Sequence, residues 1–380
     1  MPVGPAFPWL SGAPDPLGAL SALAEPIAGA WPAESVRRGL WVHSTTPRPP
    51  VGLTPHAIVH RQNKLVLRHY PAEPSCRVKT PVVVVPSLIN RAYICDLEPD
   101  RSLVAGLARL GHPVYLVDWG VPGPEDAGQD VGAVLVMLRR SIDRACRHAG
   151  ASKANVFGYC QGGTLAVMAA AIYGERFGSL VALNAPVKFS EGGRFRTFVE
   201  PGHLDLEHII GPDGLVSPAL MGLAFRLLDP MGNWNKFIPI DRAATDPVAL
   251  RRTLARERWL EDNVPMAGAF AREFIGKAYQ QDLLIEGTWE IRGKRVRLDQ
   301  VKAPLGVVVC RRDAISPAEA CRPLYAAAGS ADKELIELDT GHIGVVVGGF
   351  GPKEFYPLLD RWFRAHGPDA ARASDAPEAT

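Results

Sequence analysis

The fold of this chain is decided by the stretch Asn155-Val156-Phe157-Gly158-Tyr159-Cys160-Gln161-Gly162-Gly163-Thr164-Leu165. Its first five residues are typical of a short strand, and the residues after Cys160 begin an Ala-rich helix. Gly158 and Gly162 lack side chains, so the strand and the helix can approach closely around a sharp turn. Such a turn holds its middle residue strained and facing a cleft. The stretch therefore predicts a nucleophile elbow with cysteine in the place that serine usually takes.

Apolar strands alternate with helices on both sides of this elbow. After a predicted hairpin over residues 57–60 and 65–70, strands are predicted over 81–88, 113–119, 155–159, 180–189, 305–310 and 334–339, and helices over 100–111 (with Asp100 as N-cap), 130–150 and 164–177. Strands that are apolar throughout belong in a parallel sheet covered by helices on both faces. With the elbow, this pattern predicts the α/β class and the α/β-hydrolase fold, with a mostly parallel, doubly wound sheet.

The alternation is interrupted once. Residues 190–298 combine helix-like patches with many aromatic residues, which predicts a lid or cap inserted into the sheet domain, although such aromatics are more often ordinary core than a substrate route. The core then comprises residues 56–189 and 299–366. A Pro-rich extension over 1–55, in which residues 17–31 could form a short amphipathic helix, precedes the core, and a disordered tail over 367–380 follows it.

Composition narrows the classes of function. The formal net charge is +2 with both signs mixed, so no nucleic acid or anionic membrane is demanded as a partner. The six cysteines have neither CxxC pairs nor His companions at the spacing of metal ligands, which argues against zinc and against a disulfide framework. No apolar run approaches the about 18 residues that a membrane-spanning helix needs. Reduced thiols and the lack of a basic leader predict a cytoplasmic protein.

A cysteine at an elbow needs a base that forms the thiolate and an acid that orients the base. In elbow enzymes the acid follows a later strand and the histidine comes last. Asp313 follows the strand over 305–310, and His342 follows the strand over 334–339. Because the carboxyl ends of parallel strands meet at one edge of a sheet, these side chains should converge on Cys160. The sequence thus predicts Cys160 as nucleophile, His342 as base and Asp313 as orienting acid.

Each of these residues also has an ordinary structural interpretation. A lone cysteine in a strand is usually part of the packing, and Asp313 could be a solvated acid paired with Arg311 or Arg312. Asp339 and Asp118 are rival orienting acids, but neither follows the expected strand. Position and order therefore favour Asp313.

Further motifs accompany the elbow: Val85-Pro86-Ser87-Leu88-Ile89-Asn90-Arg91-Ala92-Tyr93, Leu97-Glu98-Pro99-Asp100-Arg101-Ser102-Leu103, Val114-Tyr115-Leu116-Val117-Asp118-Trp119-Gly120 and Gly341-His342-Ile343-Gly344. As a set they resemble the polyhydroxyalkanoate synthases over roughly residues 60–365. The short chain is similar to the catalytic subunit of the two-subunit class of those enzymes.

The resemblance implies an acyltransferase that polymerises (R)-3-hydroxyacyl-coenzyme A thioesters into polyhydroxyalkanoate through an acyl thioester on Cys160, with release of coenzyme A. Transfer from coenzyme A to Cys160 exchanges one thioester for another, so the intermediate keeps the driving force to acylate an alcohol. The backbone N–H of Gln161, with one from the loop near Ile89, would stabilise the oxyanion. Neither a cofactor nor a metal is required. A second synthase subunit, a homodimer and a location at the surface of a polyester granule are further expectations from the resemblance.

Two positions depart from the family pattern, and Ala92, where Pro is frequent, is the lesser departure. Asp313 is followed by Ala314, where members of the family commonly carry His. The alternatives therefore include a Cys-dependent thioesterase, a polyester depolymerase and a single-turn acyltransferase with the same triad. A catalytically silent, granule-associated subunit is a further alternative from another class.

Overall fold

The computed structural model describes residues 33–73, 78–228 and 230–368. Twelve strands lie in this part of the chain: β1 Ala57–Gln62, β2 Leu65–Tyr70, β3 Val82–Val85, β4 Val114–Asp118, β5 Ala154–Tyr159, β6 Phe177–Leu183, β7 Leu215–Val216, β8 Met266–Ala267, β9 Glu290–Ile291, β10 Lys294–Arg295, β11 Leu305–Cys310 and β12 Lys333–Leu338. Eight of them form one sheet in the order β1-β2-β4-β3-β5-β6-β11-β12. Within this sheet β4, β3, β5, β6, β11 and β12 pair in parallel, and the hairpin β1–β2 adds the antiparallel edge. The predicted hairpin and mostly parallel sheet are confirmed.

Sixteen α-helices lie in the described residues: α1 Ala33–Thr45, α2 Leu103–Arg109, α3 Val131–Ala149, α4 Gln161–Tyr173, α5 Gly193–Phe198, α6 Leu206–Ile209, α7 Pro218–Leu228, α8 Pro230–Asn235, α9 Phe237–Ala243, α10 Pro247–Glu261, α11 Gly268–Glu273, α12 Leu283–Glu286, α13 Ala318–Cys321, α14 Pro323–Ala327, α15 Gly344–Val347 and α16 Tyr356–His366. The three helices predicted around the elbow are all present. The predicted N-cap of α2 is wrong, because Ser102 rather than Asp100 accepts the backbone N–H of Ala105, at 3.0 Å.

Both faces of the sheet are covered, which explains why its central strands are apolar throughout. Val82 and Val84 of β3 belong to one buried cluster, and Val83 and Val85 belong to another. Side chains alternate between the faces of a strand, so a strand buried on both faces needs an apolar residue at every position. The sheet thereby forms the centre of the core, and its carboxyl edge presents the loops that follow β3, β5, β11 and β12.

The chain leaves the sheet after β6 and returns to its neighbour β11. Three aromatic residues of this excursion are buried: Phe270 stacks on Phe274 at 5.3 Å, and the indole N–H of Trp289 donates to Glu273 at 3.2 Å. These three side chains therefore belong to the ordinary core and do not line a substrate route, which is the commoner of the two interpretations of such aromatics. The division into an extension, a core and a lid stays a prediction. Its helix over 17–31 and its tail beyond residue 368 lie outside the described residues.

The described residues up to Arg48, together with residues 230–254, form a compact unit of their own. Val36, Phe237, Ile240 and Leu254 make its small buried core. A Cβ at Gly39 of α1 would lie only 1.9 Å from the carbonyl oxygen of Phe237, so the two helices α1 and α9 pack with almost no space between them. The rest of the described chain, with the sheet, forms the second unit. Within the described ranges, no helix has both the length and the apolar character that crossing a membrane requires.

Gly162 marks the closest approach of α4 to the loop after β3. A Cβ at this position would lie 2.3 Å from the carbonyl oxygen of Val85 and 2.4 Å from that of Pro86. We expect Gly162→Ala to lower the free energy of unfolding by roughly 1–3 kcal/mol or more, because these backbone atoms cannot move aside without distorting the sheet. Urea denaturation measures the change.

Gly174→Ala is the matched control, since Gly174 ends the same helix with helical φ and ψ and a Cβ there would meet no atom within 4 Å. A Gly162→Ala protein as stable as the control would contradict the close packing at the elbow.

Candidate active site

Cys160 lies at the turn between β5, which ends at Tyr159, and α4, which begins at Gln161. Its backbone has φ 56° and ψ −129°, a conformation that costs a non-glycine residue free energy and persists only when its surroundings hold it. The Cys160 N–H donates to the carbonyl oxygen of Leu183 at 2.9 Å, and the Cys160 carbonyl accepts from Gly163 at 2.8 Å. The structure therefore places the cysteine on a strained strand–helix turn of the predicted kind.

Exposure separates Cys160 from the other thiols. Among the five cysteines in the described residues, Cys160 alone is partly exposed, whereas Cys95, Cys146, Cys310 and Cys321 are buried. Burial raises the pKa of each of these four, to about 11 for Cys146 and to about 12 for Cys310. Buried thiols with raised pKa values stay protonated and inert. Cys160 is the described cysteine best placed to react.

Asp313 lies in the turn after β11, and its two carboxylate oxygens have separate partners. Oδ1 accepts the backbone N–H groups of Ile315 at 2.8 Å and Ser316 at 2.9 Å, and Oδ2 accepts from His342 Nδ1 at 2.6 Å. The side chain is fully buried. Because Nδ1 carries the proton that Asp313 accepts, the other ring nitrogen of His342 is left for Cys160.

Tyr159 fixes the other side of the histidine. Its hydroxyl donates to the carbonyl oxygen of His342 at 2.9 Å, and the two rings pack with centroids 5.1 Å apart. Burial, followed by the charges of Cys160 and Asp313, raises the pKa of Tyr159 well above its usual value, so the phenol keeps its proton and remains a donor. The residue before the nucleophile thus positions the base.

The electrostatics of the site favour a charged histidine. Burial lowers the pKa of His342, but the charges of Asp313 and Cys160 and the hydrogen bonds to both side chains outweigh that penalty and raise it to about 10. At neutral pH the imidazole is therefore protonated, and its positive charge stabilises a thiolate on Cys160 when one forms. The charges of Cys160, His342 and Asp313 are thus coupled, and a hydrogen bond joins the histidine to Asp313.

The rival acids are occupied elsewhere. Asp118 pairs with Arg68 and accepts the backbone N–H of Gly120, and the exposed Asp339 pairs with Arg312 at 3.3 Å. Of the three candidates, Asp313 is the one that contacts the histidine.

The predicted oxyanion donors occupy different environments. Gln161 is the first residue of α4, so its backbone N–H has no acceptor within the helix. It lies at the N-terminal end of the helix, where the helix dipole is positive. The backbone N–H of Ile89 instead donates to Ser87 Oγ at 3.2 Å, and that of Leu88 donates to the Gln161 side chain at 3.1 Å. Ile89 can therefore serve an oxyanion only by giving up or sharing its bond to Ser87. Both assignments stay predictions.

Sequence reasoning missed Ser316. Its hydroxyl oxygen lies 3.8 Å from the Cys160 sulfur, within hydrogen-bond reach for sulfur, and the residue is 5% exposed. The turn that holds Asp313 also holds Ser316, because the Ser316 N–H donates to Oδ1 of that acid. The feature of the sequence that could have indicated this contact is a serine three residues after the orienting acid. No group of three or more metal-ligating side chains occurs within the described ranges.

Comparisons with known proteins bear on the fold and the family of the chain. Residues 80–348 match the family described as alpha/beta hydrolase fold, and residues 49–107 match the family described as poly-beta-hydroxybutyrate polymerase (PhaC) N-terminus. Poly(3-hydroxyalkanoate) polymerase subunit PhaC of Haloferax mediterranei is 31% identical over 82% of this chain and 64% of its own length. The protein of the same name from Haloarcula marismortui is 30% identical over 82% of this chain and 68% of its own length. The chain thus spans about two thirds of the length of these relatives.

Solved structures bear on the fold alone. A hydrolase from Pseudomonas aeruginosa PA01 superposes with a TM-score of 0.53 and 14% identity, covering 82% of this chain and 99% of that one. Together with the family match and the sheet order, this likeness confirms the predicted α/β-hydrolase fold.

We expect His342→Gln to cost more unfolding free energy at about pH 6 than at about pH 10. The pKa of His342 is raised from 6.5 to about 10 in the folded state, so the stabilisation is complete below pH 6.5 and is lost as the pH rises through about 10. Urea denaturation of parent and variant across this range measures the difference, with His203→Gln, at an exposed histidine, as a surface control. A cost that grows with pH would contradict the raised pKa.

We expect Ser316→Ala to slow the alkylation of Cys160 by iodoacetamide by roughly 2- to 10-fold, because the thiolate loses a hydrogen-bond donor. The backbone bonds to Asp313 survive this change, since they come from main-chain N–H groups. Ser316→Thr, which keeps the hydroxyl, serves as control. Equal alkylation rates in the parent and Ser316→Ala proteins would show that the hydroxyl does not act on the sulfur.

Proposed function

The chain belongs to the poly(3-hydroxyalkanoate) polymerase family, and from that membership we propose that it polymerises (R)-3-hydroxyacyl-coenzyme A thioesters into polyhydroxyalkanoate, with Cys160 as the acyl carrier. The observation that carries the proposal is the 30% identity to a polymerase subunit, 68% of whose length is covered. The geometry supports it independently, because a partly exposed cysteine at an elbow faces a histidine that Asp313 orients.

The first half of the reaction is acylation of the thiol. The Cys160 thiolate attacks the thioester carbonyl, a new carbon–sulfur bond forms, and the bond to coenzyme A breaks. The proton on His342 passes to the departing coenzyme A thiolate, which leaves as the free thiol. The Gln161 N–H at the start of α4 faces the charge that develops on the carbonyl oxygen.

Acylation prepares His342 for the second half. Once the sulfur carries an acyl group its negative charge is gone, and with it one of the interactions that raise the pKa of His342. The histidine, now neutral, accepts the proton of a hydroxyl from a bound monomer or chain end. That oxygen attacks the acyl group, an ester forms, and the thiolate and imidazolium pair is restored. Asp313 holds the ring in one orientation throughout.

The second candidate is transfer of a single acyl group, either to water or to one acceptor, which would make the protein a thioesterase, a depolymerase or a single-turn acyltransferase. It is favoured by Ala314, where the family commonly carries histidine. Ala314 is exposed, whereas Asp313 beside it is buried, so the substitution leaves the orienting acid in place. The two candidates share every step up to the acceptor and differ only in which oxygen attacks.

Partners and place in the cell follow from the proposed reaction. Hydroxyacyl-coenzyme A is the substrate, and the growing polyester is the product that stays bound. A second synthase subunit, a homodimer and a position at the granule surface belong to the same proposal. The steps above need neither a cofactor nor a metal, because Cys160 and His342 supply the nucleophile and the proton transfers.

Purified protein given (R)-3-hydroxybutyryl-coenzyme A, with and without a candidate second subunit, should release coenzyme A and leave insoluble polymer. Cys160→Ala should lose coenzyme A release by roughly a thousandfold or more, because the acyl group has no carrier. Cys146→Ala, at a buried thiol of α3, is the matched control and should keep the activity.

Coenzyme A release with only free acid or a single soluble ester would assign the protein to the second candidate. Release that persists in Cys160→Ala would contradict the acyl carrier. A parent protein that releases no coenzyme A under either condition would contradict both candidates and favour a catalytically silent subunit.

A further inference from the structure

A basic groove of about 560 Å³ lies between the edge strand β1 and helix α3. We call it the arginine groove, because five arginines line it: Arg61, Arg139, Arg140, Arg144 and Arg147. Its size is within the range of pockets that hold small ligands, about 300–1,000 Å³. The proposed polymerase chemistry makes no use of it.

The arginine groove carries more positive charge than the chain as a whole. One carboxylate, Asp143, faces the five arginines, so the lining carries a formal charge of +4, whereas the whole chain carries only +2. Like charges held this close repel one another and raise the free energy of the folded protein. A bound anion would remove that repulsion.

Carboxylates of the protein neutralise only a small part of the positive charge of the arginine groove. Asp143 lies 3.9 Å from Arg139 and is shared with Arg176, which is 3.2 Å away and outside the groove. The other arginines of the lining are exposed, and within the part of the chain that the structure describes none of them has a carboxylate within 4 Å: Arg61, Arg140, Arg144 and Arg147. Their guanidinium groups are free to meet a ligand.

His60 adds a polar group to the wall. Its Nε2 is buried without a hydrogen-bond partner among the described atoms. Burial, and next the charges of nearby arginines led by Arg144, lower the pKa of His60, so the ring is neutral at physiological pH. A neutral imidazole facing a row of guanidinium groups offers a ligand one more hydrogen bond.

The arginine groove is separate from the candidate active site. Helix α3 ends at Ala149, just before β5 begins at Ala154, so Arg144 and Arg147 lie towards the edge at which β5 starts. Cys160 lies beyond the opposite end of the same strand. Strand β1 is also separated from β5 by three other strands of the sheet. A ligand in the groove would therefore leave Cys160 accessible.

We propose that the arginine groove binds an anion with two or more linked phosphoryl groups. Guanidinium groups match phosphoryl oxygens with paired hydrogen bonds, and they do so better than ammonium groups. From Arg139 to Arg147 the helix rises by about 12 Å, so one phosphate cannot reach the whole row and a chain of phosphoryl groups can. A concave groove also suits a ligand that enters it better than it suits a flat bilayer.

Two sources share this chemistry: an inorganic polyphosphate and the phosphorylated nucleotide half of coenzyme A. Calorimetric titration with inorganic tripolyphosphate at about 0.15 M salt, where long-range attraction is screened, tests the shared chemistry. Competition by coenzyme A then distinguishes the sources. If coenzyme A displaces tripolyphosphate, the ligand is the nucleotide; if coenzyme A does not displace it, the ligand is the inorganic chain. Either result supports the groove.

Arg140→Ala with Arg144→Ala should weaken tripolyphosphate binding at least tenfold. Both side chains are exposed, so the fold tolerates their loss, and circular dichroism verifies this. Lys353→Ala with Arg361→Ala removes two exposed cations from another surface and should leave the binding unchanged. Coenzyme A release by the parent and the variants is measured as a second readout, separate from tripolyphosphate binding, because neither pair belongs to the catalytic machinery.

Three results would overturn the proposal. The first is no tripolyphosphate binding by the parent. The second is equal weakening in both variant pairs, which would reflect the general surface charge. The third is binding to phosphatidylglycerol vesicles in place of tripolyphosphate, which would make this face a membrane contact.

Discussion

The hydrogen bond between Asp313 and His342, at 2.6 Å, is the interaction on which the candidate site depends. It sets which ring nitrogen carries the proton. Burial lowers the pKa of the histidine, but the charges of Asp313 and Cys160 and the hydrogen bonds to both raise it to about 10. The rest of the structure serves to bring its two ends to Cys160. Strands β11 and β12 lie side by side, so the loops after them place acid and base at the same edge where β5 presents the thiol.

Much of this could be predicted from the sequence because it rests on patterns that are local in the chain. The four valines of β3 and the glycines around Cys160 predict a buried strand and a tight turn whatever the rest of the chain does. The convergence of Asp313 and His342 on Cys160 could also be predicted, because each follows a parallel strand, but the other contacts between distant segments could not. The hydroxyl of Ser316 beside the sulfur and that of Tyr159 on the His342 carbonyl depend on how the loops pack. For the same reason the sequence could not show that Ser87 already holds the Ile89 N–H.

The net charge of the chain also fails to predict where charge is concentrated on its surface. A value of +2 with mixed signs gives no reason to expect an anionic partner, because composition averages over the whole surface. Folding sorts the charges: helix α3 turns its apolar side to the core and leaves Arg140, Arg144 and Arg147 on one outer face, where β1 adds Arg61. The proposed anion site is visible only after that sorting. It lies apart from the triad, so the two proposals stand or fall separately.

The central claim is that Cys160 carries the acyl group. Intact-protein and peptide mass spectrometry after rapid acid quenching of a reaction with (R)-3-hydroxybutyryl-coenzyme A tests it most directly. The account predicts a hydroxybutyryl adduct on the peptide that contains Cys160, removable by hydroxylamine as a thioester is. Rapid coenzyme A release with no adduct, or with the adduct on a different residue, would contradict it.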